Sequence, residues 1–202
     1  CIHTGGRTLV LEQDGFLRAF DMPTVLWPAG FALTAWVTTH CWLLTGRVLE
    51  LGAGVGAPSI AASLCGSNHV VATDKAPHSL VNVRTNARIN RANVQAWLLD
   101  WENDTSVDLT VATGKFDTVL GAGLAPHKWT GATWAVLARL LRPSTGRVVL
   151  AHGTGDLDTA SRQHGNFHVE QVIAGDEYGL QTRWGTDSEF EIVVLGLGAD
   201  EL

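Results

Sequence analysis

The chain has 202 residues, 46% of them hydrophobic and 17% charged, with a formal net charge of −6. That length and apolar content suit one domain with a sizeable core and exclude a disordered polymer. With 20 acidic against 14 basic side chains and no basic run, the chain is not equipped to grip a phosphate backbone, so no direct nucleic-acid partner is expected.

The chain opens on Cys1 rather than Met, the mark of a fragment or trimmed product from which any leader would already be gone. Cys1, Cys41 and Cys65 contain no C-x-x-C pair. Their scarcity predicts neither a disulfide framework nor a structural zinc site, and it points to a reducing compartment. The expected location is cytoplasmic, or an organelle matrix if a leader was removed, and no metal is expected. Residues 7–12 (RTLVLE) predict a short strand, and Asp14-Gly15 a turn. Residues 22–46 carry no formal charge but contain Pro23 and Pro28. Their best apolar part, residues 29–44, would make a helix about 24 Å long, short of the roughly 30 Å hydrocarbon core. No membrane span is expected. A buried or half-buried helix opening at Pro28 and ending near Leu44 is predicted instead, with Leu33, Val37, Cys41 and Leu44 on one face. Residues 1–46 read as a strand-and-helix segment packed on a core of residues 47–202, one domain overall.

From residue 47 the pattern alternates. Strands are predicted at 47–51, 69–73, 94–99, 116–120 and 147–151, and helices at 58–65, 77–91, 129–141 and 156–164, with a polar loop after residue 99. Two last strands near 167–173 and 189–195 have no helix-length segment between them. The expected fold is an α/β, Rossmann-like, doubly wound sheet of seven strands, mostly parallel with an antiparallel C-terminal strand pair. Ligands in such sheets bind beyond the carboxyl ends of the strands, near the switch point.

That edge holds the strongest local signal, Glu50-Leu51-Gly52-Ala53-Gly54-Val55-Gly56-Ala57-Pro58, between a predicted strand and a predicted helix. Glycines allow a tight turn and close backbone approach to a ligand, and the helix amino terminus should offer unsatisfied N–H groups to a carboxylate or phosphate. Asp74 ends the next strand, 22 residues after Gly52, where a carboxylate can accept both ribose hydroxyls. It could instead cap the helix before Pro77. Asp100-Trp101 follows the third strand, where a carboxylate could hold an adenine amino group while an indole covers the ring. Together these residues point to an adenosine-containing cofactor. Gly52-x-Gly54-x-x-Ala57 also satisfies the relaxed dinucleotide fingerprint, which keeps an NAD(P)-dependent enzyme as a weaker alternative.

The segments VLELGAGVGAPSIAASLCGSNHVVATD, NVRTNARIN and LLDW resemble the seven-strand S-adenosylmethionine-dependent methyltransferases, and within them the protein-lysine branch. Leu26-Trp27-Pro28-Ala29-Gly30 is similar to that branch's tryptophan-containing segment. The resemblance implies that Gly52, Ala53 and Gly54 line the methionine end of S-adenosyl-L-methionine, with Glu50 and Gly56 as parts of the same motif. It implies Asp74 at the ribose, Asp100 and Trp101 at the adenine, and contacts from Trp27 and Ala122. The partner it implies is a protein substrate or complex.

One departure stands out. The branch carries an acid followed three positions later by an aromatic, where this chain has Gly123 and Pro126. The cofactor half looks intact and the substrate half eroded, so a catalytically degenerate subunit or scaffold is the main alternative. The catalytic residues stay unidentified. His127 and His152, both at the presumed active edge, are weak substitutes able to accept a proton near neutral pH. Asp156 and Asp158 read as caps of a short helix. Of the eight Trp residues, most read as core, and Trp129 with Trp134 would form a protein-binding face if exposed together.

Overall fold

The computed structural model describes residues 1–4, 6–13, 25–124, 131–153, 167–174 and 190–198. Strands and helices alternate through β3 (Arg47–Leu51), α2 (Ala57–Leu64), β4 (His69–Asp74), α3 (Pro77–Ile89), β5 (Val94–Leu98), α4 (Asp104–Val111), β6 (Thr118–Ala122), α5 (Gly131–Leu140) and β7 (Arg147–Gly153). Ahead of them lie β1 (Ile2–Thr4), β2 (Arg7–Leu9) and α1 (Pro28–Thr39), and β8 (Phe167–Ala174) and β9 (Phe190–Leu197) follow.

The main sheet has seven strands in the order β5-β4-β3-β6-β7-β9-β8. Strands β3 to β7 pair in parallel, β9 is antiparallel to β7, and β8 is antiparallel to β9. This is the doubly wound architecture read from the alternation. The chain winds outward from β3 to β5, then returns to β6 on the other side of β3. The switch point therefore lies between β3 and β6.

Burial explains why the central strands read as continuous apolar runs. Val48, Val70, Leu120 and Val149 face a cluster with Leu33, Trp36 and Val37 of α1 and Ile60 of α2. Their neighbours Leu49, Val71, Val119 and Val148 face the opposite cluster, with Val107 of α4 and Trp134, Leu137 and Leu140 of α5. Both pleat faces are covered, so both sets of alternating side chains must be apolar. Trp134 is 2% exposed, so the face expected from Trp129 and Trp134 together does not form. Trp129 lies outside the described residues, as do the turn at Asp14-Gly15, the helix expected at 156–164 with Asp156 and Asp158, and Trp184.

Several expectations are corrected. The helix from Pro28 stops at Thr39, and Cys41–Leu43 form a short 3₁₀ turn. The Thr39 hydroxyl donates to the carbonyls of Ala35 and Trp36, and the His40 ring bonds and stacks on Trp36. These side chains take over the last carbonyls of the helix. The stretch after residue 99 contains α4 rather than only loop. Asn103 caps it, its side-chain oxygen accepting from Ser106 N–H at 3.1 Å, with Asp104 in the first turn. The strand expected at 7–12 shrinks to Arg7–Leu9 and pairs with β1. Beyond it, Val10 and Glu12 bond to the side chains of Asn90, the C-cap of α3, and Asn86 within it, instead of to another strand.

The structure also joins Cys41 to Cys65 in a disulfide, Cα to Cα 5.2 Å. Helices α1 and α2 pack side by side, which brings their carboxyl-terminal turns together although 24 residues separate the cysteines. The cysteine pattern consequently carries no argument for a reducing compartment. No helix among the described residues is long and apolar enough to cross a membrane.

Candidate cofactor site

The glycine loop crosses from β3 to α2 at the switch point. Gly52, Gly54 and Gly56 have φ of +61°, +53° and +80°, a region that costs any other L-residue roughly 1–2 kcal/mol. Three backbone N–H groups set the curve by donating: Ala53 to Thr73 O at 2.9 Å, Gly56 to Ala53 O at 2.7 Å, and Gly54 to the side-chain Oδ2 of Asp74 at 3.0 Å.

Asp74 thus clasps the loop. Its other oxygen, Oδ1, accepts from Ala76 N–H at 2.9 Å, a turn ahead of α3; Ala76 holds the N-cap position and no side chain caps the helix, so the capping role that the sequence offered as an alternative is not seen. A carboxylate oxygen has two acceptor sites, and each Asp74 oxygen spends one on the backbone, leaving a pair to accept a diol. The side chain is 6% exposed and firmly aimed.

Glu50 lies beneath the loop, 2% exposed. Its Oε2 accepts from Ser59 N–H at 2.9 Å and from the Ser59 hydroxyl. Burial drives its pKa up from 4.5 to about 8, against the pull of the Ser59 hydrogen bonds and with a further push from the Asp74 charge. Glu50 therefore sets the angle between β3 and α2 from below. It also consumes the Ser59 N–H, while Pro58 has none. The α2 terminus consequently has less to offer an anion than the glycine pattern suggested.

Leu99 N–H donates to Asp74 O at 3.1 Å, drawing the end of β5 beside the end of β4. Asp100 follows, half-buried; its N–H is fixed on the Ser106 hydroxyl and its Oδ1 accepts from Glu102 N–H. The half-buried Trp101 reaches back to β3. A Cβ built on Gly52 would lie 3.7 Å from Trp101 Cη2 and 2.8 Å from Leu124 Cδ2. Leu124 also covers Gly121. Sequence reasoning missed Leu124, and the only available signal was its place in the degenerate loop after β6.

The remaining expected residues gather less tightly. Ala122 pairs with Ala151, and Gly123 N–H donates to Ala151 O. Gly123 has φ of +60°, and among the described residues the only atom within 4 Å of a Cβ there would be Ala29 Cβ of α1, at 3.7 Å. That contact brings the amino end of α1, where Trp27 holds the N-cap position, alongside the loop after β6. His152 does not lie open at the edge. It is 2% exposed in β7, opposite Glu191, with Nε2 3.6 Å from Glu191 Oε1 and Nδ1 2.9 Å from Gly153 O. His152 is therefore buried rather than presented at the edge. His127 and Pro126 lie outside the described residues. Asn86, also missed, is fully buried and joins the loop to the N-terminal segment by donating to Val55 O and Glu12 O.

A profile of the lysine methyltransferase family matches residues 6–154. The electron transfer flavoprotein beta subunit lysine methyltransferase of Homo sapiens is 32% identical over 130 residues, covering 61% of this chain and 48% of that protein. The chain spans about half the length of the curated relatives it matches. Among solved structures, ribosomal protein L11 methylase from Lactobacillus delbrueckii subsp. bulgaricus has the same fold, with a TM-score of 0.54 at 18% identity over 81% of this chain and 79% of that one. The Pyrococcus abyssi tRNA (uracil-54, C5)-methyltransferase in complex with S-adenosyl-L-homocysteine has a TM-score of 0.59 at 17% identity over 82% of this chain and 38% of that one.

Proposed function

The chain belongs to the lysine methyltransferase family, and from that premise we propose that it binds S-adenosyl-L-methionine at the switch point and transfers the methyl group to a lysine of a protein. The observation that carries this reading is the clasp of Asp74 on Gly54. It holds a two-oxygen acceptor beside a glycine turn whose Gly52 lies next to Trp101. The cofactor supplies an electrophilic methyl group on a sulfonium centre. Asp74 accepts its ribose hydroxyls, Asp100 and Trp101 hold the adenine, and Gly52, Ala53 and Gly54 let the methionine end approach the backbone. Trp27 and Ala122 bound the same space.

The chemistry also favours this cofactor over NAD(P). A dinucleotide places its pyrophosphate on the free N–H groups of the helix that follows the glycines. Pro58 and the Ser59–Glu50 bond remove two of those donors here, and a nucleoside with a zwitterionic tail depends on them less.

The acceptor lysine must arrive neutral. With an ordinary pKa near 10.4, only roughly one side chain in 10³ is neutral at pH 7. Among the described residues the loop after β6 presents Gly123 where the resembled family has an acid, which favours a second reading: a catalytically degenerate member retained as a subunit or scaffold. The electron transfer flavoprotein beta subunit is the first substrate to try, because relatives are named for it. The test is transfer of labelled methyl from S-adenosyl-L-methionine to purified protein acceptors and to a lysate. Label on lysine supports the enzyme. Cofactor binding without label supports the degenerate reading, and Gly123→Asp should then raise transfer by roughly 10²-fold, the worth of one positioned polar contact in a transition state.

A further inference from the structure

Asn86 of α3 and Asn90 at its C-cap hold the segment after β2 residue by residue. Val10 N–H donates to Asn90 Oδ1 at 2.9 Å, and Asn90 Nδ2 donates to Val10 O at 2.7 Å. Glu12 N–H donates to Asn86 Oδ1 at 2.7 Å, and Asn86 Nδ2 donates to Glu12 O at 3.1 Å. Each carboxamide thus pairs with both backbone groups of one residue, as a neighbouring strand would. The spacings match: four residues of helix rise about 6 Å, and two residues of extended chain advance about 6.6 Å. We propose that Asn86 and Asn90 are positioning residues, which lay residues 10–13 along α3 as a strap that sets Trp27 against the glycine loop, a role that rests on the cofactor reading above.

The strap joins two walls of the candidate site. Residue numbers rise from Val10 to Glu12 as those on α3 fall from Asn90 to Asn86, so the strap runs toward the amino end of α3, which follows Asp74. At Asn86 it meets the first wall, because Asn86 Nδ2 also donates to Val55 O of the glycine loop at 3.0 Å. One residue past Glu12 it meets the second, where Gln13 Oε1 accepts from Leu26 N–H at 2.8 Å. Leu26 is fastened on its other side to α1: a Cβ built on Gly30 would lie 2.8 Å from Leu26 Cδ1. The next residue is Trp27, at the N-cap of α1. A ligand between Trp27 and the glycines needs these walls at a set separation before it arrives.

Asparagine is the side chain this role needs. Asn86 spends both amide hydrogens and its oxygen on backbone groups, and Asn90 gives a second bond to Asn86 O at 2.7 Å. Aspartate would set a carboxylate against those carbonyls, with nothing to donate. Burial is not what the strap contributes. Val10, Glu12 and Gln13 are exposed, and only Leu11 packs on the core. What its hydrogen bonds fix is where the chain stands when it reaches Leu26 and Trp27.

The test breaks one rung from each of its two sides, with Asn90→Ala on the helix and Val10→Pro on the strap, whose ring removes the donated N–H. Two readouts follow. In the ¹⁵N-labelled chain without ligand, the indole peak that Trp27→Ala removes should shift in both variants. Affinity for S-adenosyl-L-homocysteine, measured by calorimetry, should fall about five- to tenfold in each, the worth of one hydrogen bond. Added to Trp27→Ala, neither change should weaken binding further, since both act through that indole. The proposal is overturned if the Trp27 peak stays in place in both variants, or if the affinity loss is as large when Trp27 is already Ala, which is the result of a merely structural role. Val10→Pro leaves α3 untouched and decides the matter if Asn90→Ala fails to fold. If the wild type binds no S-adenosyl-L-homocysteine, the cofactor reading fails, and the indole peak alone decides whether the strap places Trp27.

Discussion

Replacing Glu50 with Gln should flatten the pH dependence of stability. Glu50 is buried under the glycine loop, and burial is the main cause of its pKa of about 8, against 4.5 ordinarily. A carboxyl with a raised folded-state pKa binds a proton in the folded chain that the unfolded chain has already released. Its stabilising effect is complete below pH 4.5, falls as pH rises, and levels off above about 8. Each pH unit in that window removes about 1.4 kcal/mol, so the whole span sets an upper bound of roughly 5 kcal/mol, comparable to the total stability of many domains. Gln keeps an acceptor for Ser59 and cannot ionise. Urea unfolding from pH 5 to 9 should show wild-type stability declining relative to Glu50→Gln, with the variant the more stable above pH 8. Parallel curves for the two proteins would show that Glu50 is ionised when folded, and the account of how it orients α2 would fail.

Gly54→Arg should abolish cofactor binding, measured by calorimetry, because φ of +53° disfavours a side chain and the backbone would lose its close approach. Reduction of the Cys41–Cys65 bridge should cost about 3 kcal/mol for its 24-residue separation. Thermal unfolding with and without reductant measures this, and alkylation should count two more thiols than the free Cys1. Asn103→Ala should destabilise the chain by about 1 kcal/mol through loss of the α4 cap, seen as a shifted urea midpoint. Asn86→Ala should lower both stability and cofactor affinity, since it breaks bonds to Val55 O and Glu12 O together.

The parallel sheet was legible because two covered faces force apolar residues at consecutive positions, as in Val48 and Leu49 or Val148 and Val149. The antiparallel end was legible because the sequence shows no helix-length segment between its last two predicted strands. Glycines at +61°, +53° and +80° explain why the site announced itself in letters. Helix α4 was hidden because only Val107 and Thr110 are buried in it, too few for a periodic signal. The disulfide was hidden because it depends on how two helices lie together, which no spacing encodes. The α2 terminus misled because an N–H count must subtract Pro58 and the donor that Glu50 takes. Leu124 and His152 show the same limit: which face a residue takes at a strand's end is decided by its neighbours.

The central claim is that a nucleoside of the S-adenosyl type sits at the ends of β3, β4 and β5. Thermal unfolding with S-adenosyl-L-homocysteine at 100 times its dissociation constant should show stabilisation of about 2.7 kcal/mol, absent with NAD and absent in Gly54→Arg. An unchanged transition in wild type, or equal stabilisation by NAD, would contradict the assignment.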